Sequence, residues 1–237
     1  VTKAKAENKN KSGESGVVIV AAGTSQRMGG INKLFASLGG KPLLAWSVDV
    51  CQRCELIKHI VVVLNYKDLA RGQRLKEERA WSKVSLCAGG PRRQDSVMEG
   101  LRHVRDHDWV MIHDGARPFL TAHLIEEGLK IAKQTGAAVA AVPVNDTVKL
   151  VDSERLVKRT LRRDRLWAAQ TPQVFSFDMI MRAYEKLRAE VTDDAAVLEQ
   201  QGHRVQLYMG DYENIKVTTP GDLALARVIA GEWKKKR

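Results

Sequence analysis

Three short stretches carry residue types that suit nucleotide chemistry, and each follows an apolar run. The first is Val20-Ala21-Ala22-Gly23-Thr24-Ser25-Gln26-Arg27-Met28-Gly29-Gly30, with Lys33 just beyond. Small residues and glycines let backbone N–H groups approach phosphate oxygens, and Arg27 and Lys33 add positive charge for the same anion. The P-loop pattern does not fit, because Lys33 is not preceded by glycine. The dinucleotide fingerprint fails too, because Gly23 is followed by Thr-Ser-Gln. An ordinary strand-to-helix turn would use the same glycines.

The second stretch is Ala88-Gly89-Gly90-Pro91-Arg92-Arg93-Gln94-Asp95-Ser96. Backbone carbonyls of such a loop can accept from an exocyclic amine, and the Ser96 hydroxyl can donate to a ring carbonyl, a pairing that cytosine offers. Asp95 or Ser96 could equally cap the helix that follows. The third is His113-Asp114-Gly115-Ala116-Arg117-Pro118, after the apolar run Trp109 to Ile112. Ligands of open α/β sheets bind beyond the carboxyl ends of strands. There Asp114 could hold a ribose hydroxyl or help place Mg²⁺, with Arg117 facing a phosphate, or the two could form a structural ion pair.

Weaker signals are Asp146-Thr147, Arg162-Arg163, Thr171-Pro172-Gln173, Thr192-Asp193-Asp194 and Asn214-Ile215-Lys216. Thr192 suits a helix N-cap and Thr171 a turn before Pro172. Lys216 alternates with Ile215 and Val217 on a short strand, so it points away from their apolar face, to water or into a site.

The elements that must position these residues alternate regularly. Strands are expected at Val17–Val20, His59–Leu64, Lys83–Cys87, Trp109–Ile112 and Ala137–Val142. Helices are expected from Pro42 to before Ile57 and over Lys67–Ala80, Arg93–Arg105 and Thr121–Thr135, the last capped by Gly136. Continuous apolar strands separated by helices imply an α/β fold with a doubly wound, mostly parallel sheet covered on both faces. Asp146 to Thr160 alternates apolar and polar residues around Asp152-Ser153, which predicts a projecting β-hairpin arm, about 144–165. The arm has little of its own to pack against, so it is expected to pack on a partner subunit. Helices at Ser176–Glu190 and Asp193–Gln201, strands at Arg204–Tyr208 and Asn214–Val217, and a helix from Pro220 complete the chain.

The 237 residues suit a single domain, taken as 16–232, after a disordered basic tail, 1–15. No apolar run reaches the roughly 18 residues of a membrane span. The N-terminal stretch has neither a signal-peptide core nor a transit-peptide face, so a cytoplasmic enzyme is expected. The formal net charge of +11 suits a nucleic-acid binder or an enzyme of polyanionic small molecules. Aromatic residues at 5% are few for base stacking, and the internal basic residues fall in phosphate-loop positions, which favours the enzyme. Three cysteines give no disulfide framework, and Cys51 and Cys54 form a lone CxxC inside a helical pattern. His103 and His107 lack a third ligand at metal-site spacing, so no protein-held metal is expected.

In this order, from about Val17 to Val228, the stretches resemble the 2-C-methyl-D-erythritol 4-phosphate cytidylyltransferase family of the non-mevalonate isoprenoid pathway. Leu166-Trp167-Ala168-Ala169-Gln170-Thr171-Pro172-Gln173 and Glu213-Asn214-Ile215-Lys216-Val217-Thr218 are the most specific matches. The resemblance implies transfer of a cytidylyl group from CTP to a polyol phosphate, with release of pyrophosphate. It implies that Ala21, Ala22 and Gly23 form the phosphate loop, and that Arg27 and Lys33 bind the triphosphate with Mg²⁺. It implies that Gly89, the Gly90 and Pro91 backbone and Ser96 read cytosine, while Asp114 and the Gly115 amide hold the ribose. Arg117, Thr171, Thr192 and Lys216 would surround the acceptor, joined by Thr147 and Arg163 from the arm of the other subunit of a homodimer. Pro91 departs from the Asp or Ala common in relatives, so a base contact through its N–H cannot exist. Gly115 replaces a more usual Ala, a change expected to remove only a methyl. A ribitol 5-phosphate cytidylyltransferase is the nearest alternative, and Trp167 before Gln170 favours methylerythritol phosphate. Deleting Val1 to Ser15 is expected to leave folding and activity intact.

Overall fold

The computed structural model describes residues 14–23 and 32–235, so Arg27 and most of the N-terminal tail lie outside the described residues. In chain order the strands are β1 Ser15–Ala21, β2 Ser37–Leu38, β3 Lys41–Pro42, β4 Ile57–Leu64, β5 Val84–Ala88, β6 Trp109–Asp114, β7 Ala137–Pro143, β8 Lys149–Val151, β9 Val157–Thr160, β10 Trp167–Ser176 and β11 Gln206–Met209. The helices are α1 Leu43–Arg53, α2 Leu69–Glu78, α3 Arg93–Arg102, α4 Ala122–Thr135, α5 Phe177–Lys186, α6 Asp194–Glu199 and α7 Pro220–Lys235.

Seven strands form one sheet in the order β11-β7-β10-β6-β1-β4-β5. All neighbours run parallel except β10, which is antiparallel to both β6 and β7. Val17, Ile19, Ile60, Val62 and Leu64 pack with α1, α2 and α4 on one face. Val18, Val61, Val63, Val110 and Ile112 pack with α3, α5 and α6 on the other. Both faces are therefore buried, which is why these strands are apolar without alternation. A third cluster seats α7 against Leu43, Trp46, Phe119 and Val217.

Strand β10 was not anticipated. A proline removes a ladder donor and argues against a central strand. Here the pairing with β7 shifts register between Ala169 and Gln173, so Pro172 stands outside the regular ladder, after a cis Thr171–Pro172 bond. Thr171 is thus a buried strand residue and not a turn residue. Asn214–Val217, in turn, is extended chain and not a strand, although the Val217 N–H still donates to the Ala116 carbonyl at 2.8 Å. The N-cap of α6 is Asp193, whose carboxylate accepts from the Ala196 N–H at 3.0 Å, and not Thr192.

The hairpin lies where the alternation placed it. β8 and β9 pair antiparallel, and the Asp152 carboxylate closes the turn by accepting from the N–H groups of Glu154 and Leu156. Its apolar side chains are open, with Leu156 62% and Val157 60% exposed.

The tail boundary needs correction. Ser15 is buried in β1, and the Glu14 carbonyl accepts from the N–H groups of Asp108 and Trp109. Deleting residues 1–13 is expected to leave the melting temperature unchanged. Extending the deletion through Ser15 is expected to lower it measurably in a calorimetric scan, by about 2–4 °C for each kcal/mol lost.

Candidate functional site

The parallel strands β1, β5 and β6 end on the same side of the sheet, and the three glycine-bearing stretches follow them there. A cavity of about 200 Å³ opens between them, lined by Ala21, Ala22, Gly23, Lys33, Gly90, Pro91, Arg93, Ser96, Asp114 and Lys216. Close approach requires glycine at positions 89 and 90. A Cβ on Gly90 would stand 2.5 Å from the Asp95 Cβ, and one on Gly89 would run into Ala22 and Ser96. Asp95 closes the loop by accepting from the Arg92 N–H at 3.1 Å, inside the first turn of α3. The Ser96 hydroxyl meets the carbonyls of Gly90 and Arg92 at 3.3 and 3.2 Å. It must turn from them to address a base.

Asp114 is the centre of the site. The Lys216 ammonium is 2.9 Å from its carboxylate, Arg93 is 3.4 Å away and Arg117 3.6 Å. Burial alone would raise the Asp114 pKa, but the charges of Arg93, Lys216 and Arg117 hold it well below the usual carboxylate range. Asp114 is therefore ionised at neutral pH. Its own N–H donates to the Thr171 hydroxyl at 3.0 Å.

A second cavity, of about 220 Å³, shares Arg93, Asp114 and Lys216 with the first and adds Arg117, Gln170, Thr171, Gln173, Thr192 and Asp193. Arg93 forms a two-pronged pair with Asp194, at 2.9 and 2.7 Å, and the Tyr184 hydroxyl donates to the same carboxylate at 2.6 Å. Burial works against the Arg93 charge, yet Asp194 and Asp114 more than offset it and hold its pKa above the usual guanidinium value. Arg117 donates to the Asn214 carbonyl at 2.7 Å, and the Asn214 side chain donates to the Thr171 carbonyl at 2.8 Å. These bonds hold the extended segment that presents Lys216. Four cations, Lys33, Arg93, Arg117 and Lys216, against Asp114, Asp193 and Asp194 leave the junction of the two cavities net positive by one charge. It is suited to polyanions on both sides.

The structure thus gathers Lys33, Gly90, Pro91, Ser96, Asp114, Arg117, Thr171, Thr192 and Lys216 around one junction. Gly115 stands apart from it. Its N–H donates to the Val20 carbonyl at 2.9 Å and is not free for a ribose hydroxyl. An alanine there would place its Cβ 3.0 Å from that of Ala21, so the two would have to separate by a few tenths of an ångström. Thr147 and Arg163 line neither cavity, and Arg163 donates to the Asn145 carbonyl within the arm. Sequence reasoning gave no role to Arg93, Asp194, Gln173 or Tyr184. Asp194 stood only in the weak Thr192-Asp193-Asp194 signal, and nothing local marked its partner on α3, 101 positions away.

Comparison with known proteins agrees with this geometry. The family model for 2-C-methyl-D-erythritol 4-phosphate cytidylyltransferase matches residues 16–232. A protein of that name from Dehalococcoides mccartyi is 48% identical over 215 residues, covering 90% of this chain and 95% of the relative. Another, from Clostridium novyi, is 42% identical over 218 residues, covering 90% and 94%. Among solved structures, a 4-diphosphocytidyl-2C-methyl-D-erythritol synthase from Anaerococcus prevotii superposes with a TM-score of 0.84. It is 28% identical and is matched over 93% of this chain and 98% of its own.

Asp194→Ala is expected to destabilise the fold by about 3 kcal/mol, because it removes the fully buried carboxylate that grips Arg93 and accepts from Tyr184, leaving Arg93 only its longer contact with Asp114. Tyr184→Phe, which removes one hydrogen bond to that carboxylate, should cost about 1.5–3 kcal/mol. Urea unfolding of the two variants against the unmodified chain measures both.

Proposed function

Because the chain belongs to the 2-C-methyl-D-erythritol 4-phosphate cytidylyltransferase family, we propose that it transfers the cytidylyl group of CTP to 2-C-methyl-D-erythritol 4-phosphate, releasing pyrophosphate. The observation that carries this reading is the pair of cavities meeting at Asp114 and Lys216. The Gly90–Ser96 side takes the nucleotide, and the Thr171–Thr192 side takes the acceptor. The convergence of Arg93, Arg117 and Lys216 on one carboxylate suits compact anions better than a nucleic-acid backbone, which needs a stripe of charge. Pyrophosphate release from CTP, compared between methylerythritol phosphate and ribitol 5-phosphate, tests the acceptor. Preference for ribitol phosphate would overturn it.

The chemistry follows from charge. A phosphate monoester is already largely dianionic near neutral pH, so the nucleophile needs no general base. The obstacle is bringing it against a triphosphate of like charge. Lys33 and Lys216 flank the junction, where they offset that repulsion and stabilise charge developing at the α-phosphorus. Arg27 is assigned to the same triphosphate by family likeness alone. Asp114 and Arg117 hold the two substrates in line.

Magnesium suits this site as an ion carried by the nucleotide. Among the described residues no group of three His, Cys, Asp or Glu is placed to hold a metal. Asp114, the carboxylate at the junction, is already bound by three cations. The ligands of the ion would be phosphate oxygens and water, and when bound it would neutralise triphosphate charge.

The open apolar side chains of the arm support a homodimer in which Arg163 and Thr147 reach the partner's acceptor pocket. Unpaired Cys51, Cys54 and Cys87 are at home in the cytoplasm, where CTP is supplied. Among the described residues no helix is long and apolar enough to cross a membrane.

Lys33→Ala and Lys216→Ala are each expected to lower turnover about a hundredfold or more, the first with little change in melting temperature and the second with a measurable fall, because it takes the nearest cation from the buried Asp114 carboxylate. Steady-state kinetics on the folded variants checks this. Mixing Lys33→Ala with Arg163→Ala and allowing subunits to exchange should restore activity toward about a quarter of the unmodified level, since random pairing leaves one site in half the dimers intact. If Arg163 serves its own subunit, no activity returns.

A further inference from the structure

His113 lies one residue before Asp114 and is fully buried. Its Nε2 is 3.0 Å from the Arg117 carbonyl, and its Nδ1 is 3.1 Å from the Thr171 hydroxyl. A carbonyl can only accept, so Nε2 carries the proton. Burial lowers the imidazole pKa to about 4, so the ring is neutral near pH 7 and Nδ1 is a bare acceptor. The Thr171 hydroxyl therefore donates to Nδ1, while its oxygen receives the Asp114 N–H at 3.0 Å. Every donor in this chain is thereby assigned.

The consequence concerns the acceptor cavity. His113 lines neither cavity, yet one ring holds the backbone of Arg117 and the hydroxyl of Thr171, two residues that do line it. Arg117 is carried on a short loop between β6 and α4, and Thr171 stands on the antiparallel strand β10. The imidazole spans these two elements and ties them to the main chain of Asp114. Among the described residues, no hydrogen bond of this kind joins the ring to the loops after β1 and β5. We propose that His113 is a positioning residue for the acceptor half of the site, setting where Arg117 and Thr171 meet the polyol phosphate. This rests on the cytidylyl-transfer reading above.

The test separates acceptor from nucleotide. The amide of glutamine can take the place of Nε2 and that of asparagine the place of Nδ1, so each keeps one of the two bonds, whereas leucine keeps neither. In His113→Leu, kcat/KM for methylerythritol phosphate is expected to fall about tenfold or more, with the Kd for CTP, measured by calorimetry, within about twofold of the unmodified value. His113→Gln and His113→Asn should each lose less. Parallel loss of CTP affinity, or no loss at all, would overturn the proposal. Nitrogen NMR of the imidazole in the unmodified protein is a check that needs no variant to fold. It should show Nε2 protonated, and a proton on Nδ1 would also defeat the idea. Failure of the unmodified protein to use the acceptor counts instead against the cytidylyl-transfer reading.

Discussion

One carboxylate, Asp114, holds this site together. It sits at the end of a central strand, almost out of contact with water, and draws Arg93 from α3, Arg117 from the loop after β6 and Lys216 from the extended segment before α7. A buried anion of this kind is tolerable only with opposite charge close by, so its presence dictates where three separate parts of the chain must lie. The two cavities meet where those parts meet. Substrate phosphates arriving there would compete with Asp114 for the same cations, so the carboxylate also keeps Lys216 near the junction before any ligand arrives.

Behind the cations stands a layer of polar residues whose value is orientation. Asp194 grips Arg93 with both oxygens and takes the Tyr184 hydroxyl, while Gln173 bonds the carboxylate of Asp193 and the N–H of Ala195. Well-packed apolar residues could match such a network in stability. They could not fix a guanidinium at a given angle. The same logic applies to Asn214, whose amide and carbonyl join Thr171 and Arg117 to the strip of chain bearing Lys216.

Much of the fold was legible because its strands are buried on both faces, so Val17–Val20 and Ala137–Val142 stand out as apolar runs between amphipathic helices. The arm was legible for the opposite reason: alternation and an Asp-centred turn with nothing apolar beneath it. Strand β10 was not, because Pro172 masks a strand that continues past it through a register shift. The Gly89-Gly90 turn could be read because close backbone approach leaves a local mark. Arg93 with Asp194, and the Gly115 amide with Val20, could not, since a contact between distant segments leaves none.

The separation of Arg93 from Asp194 also bears on how the chain is made. At about 5–20 residues per second, a ribosome needs roughly 5–20 s to add the residues between them. Throughout that interval the newly made α3 carries a guanidinium bound for the interior while its carboxylate does not yet exist. Tyr184 and strand β10 arrive late as well, so the face of the sheet beneath α3, α5 and α6 cannot close around the first half of the chain. The early strands must wait with one side wet, and the waiting ends only when the last third of the polypeptide emerges.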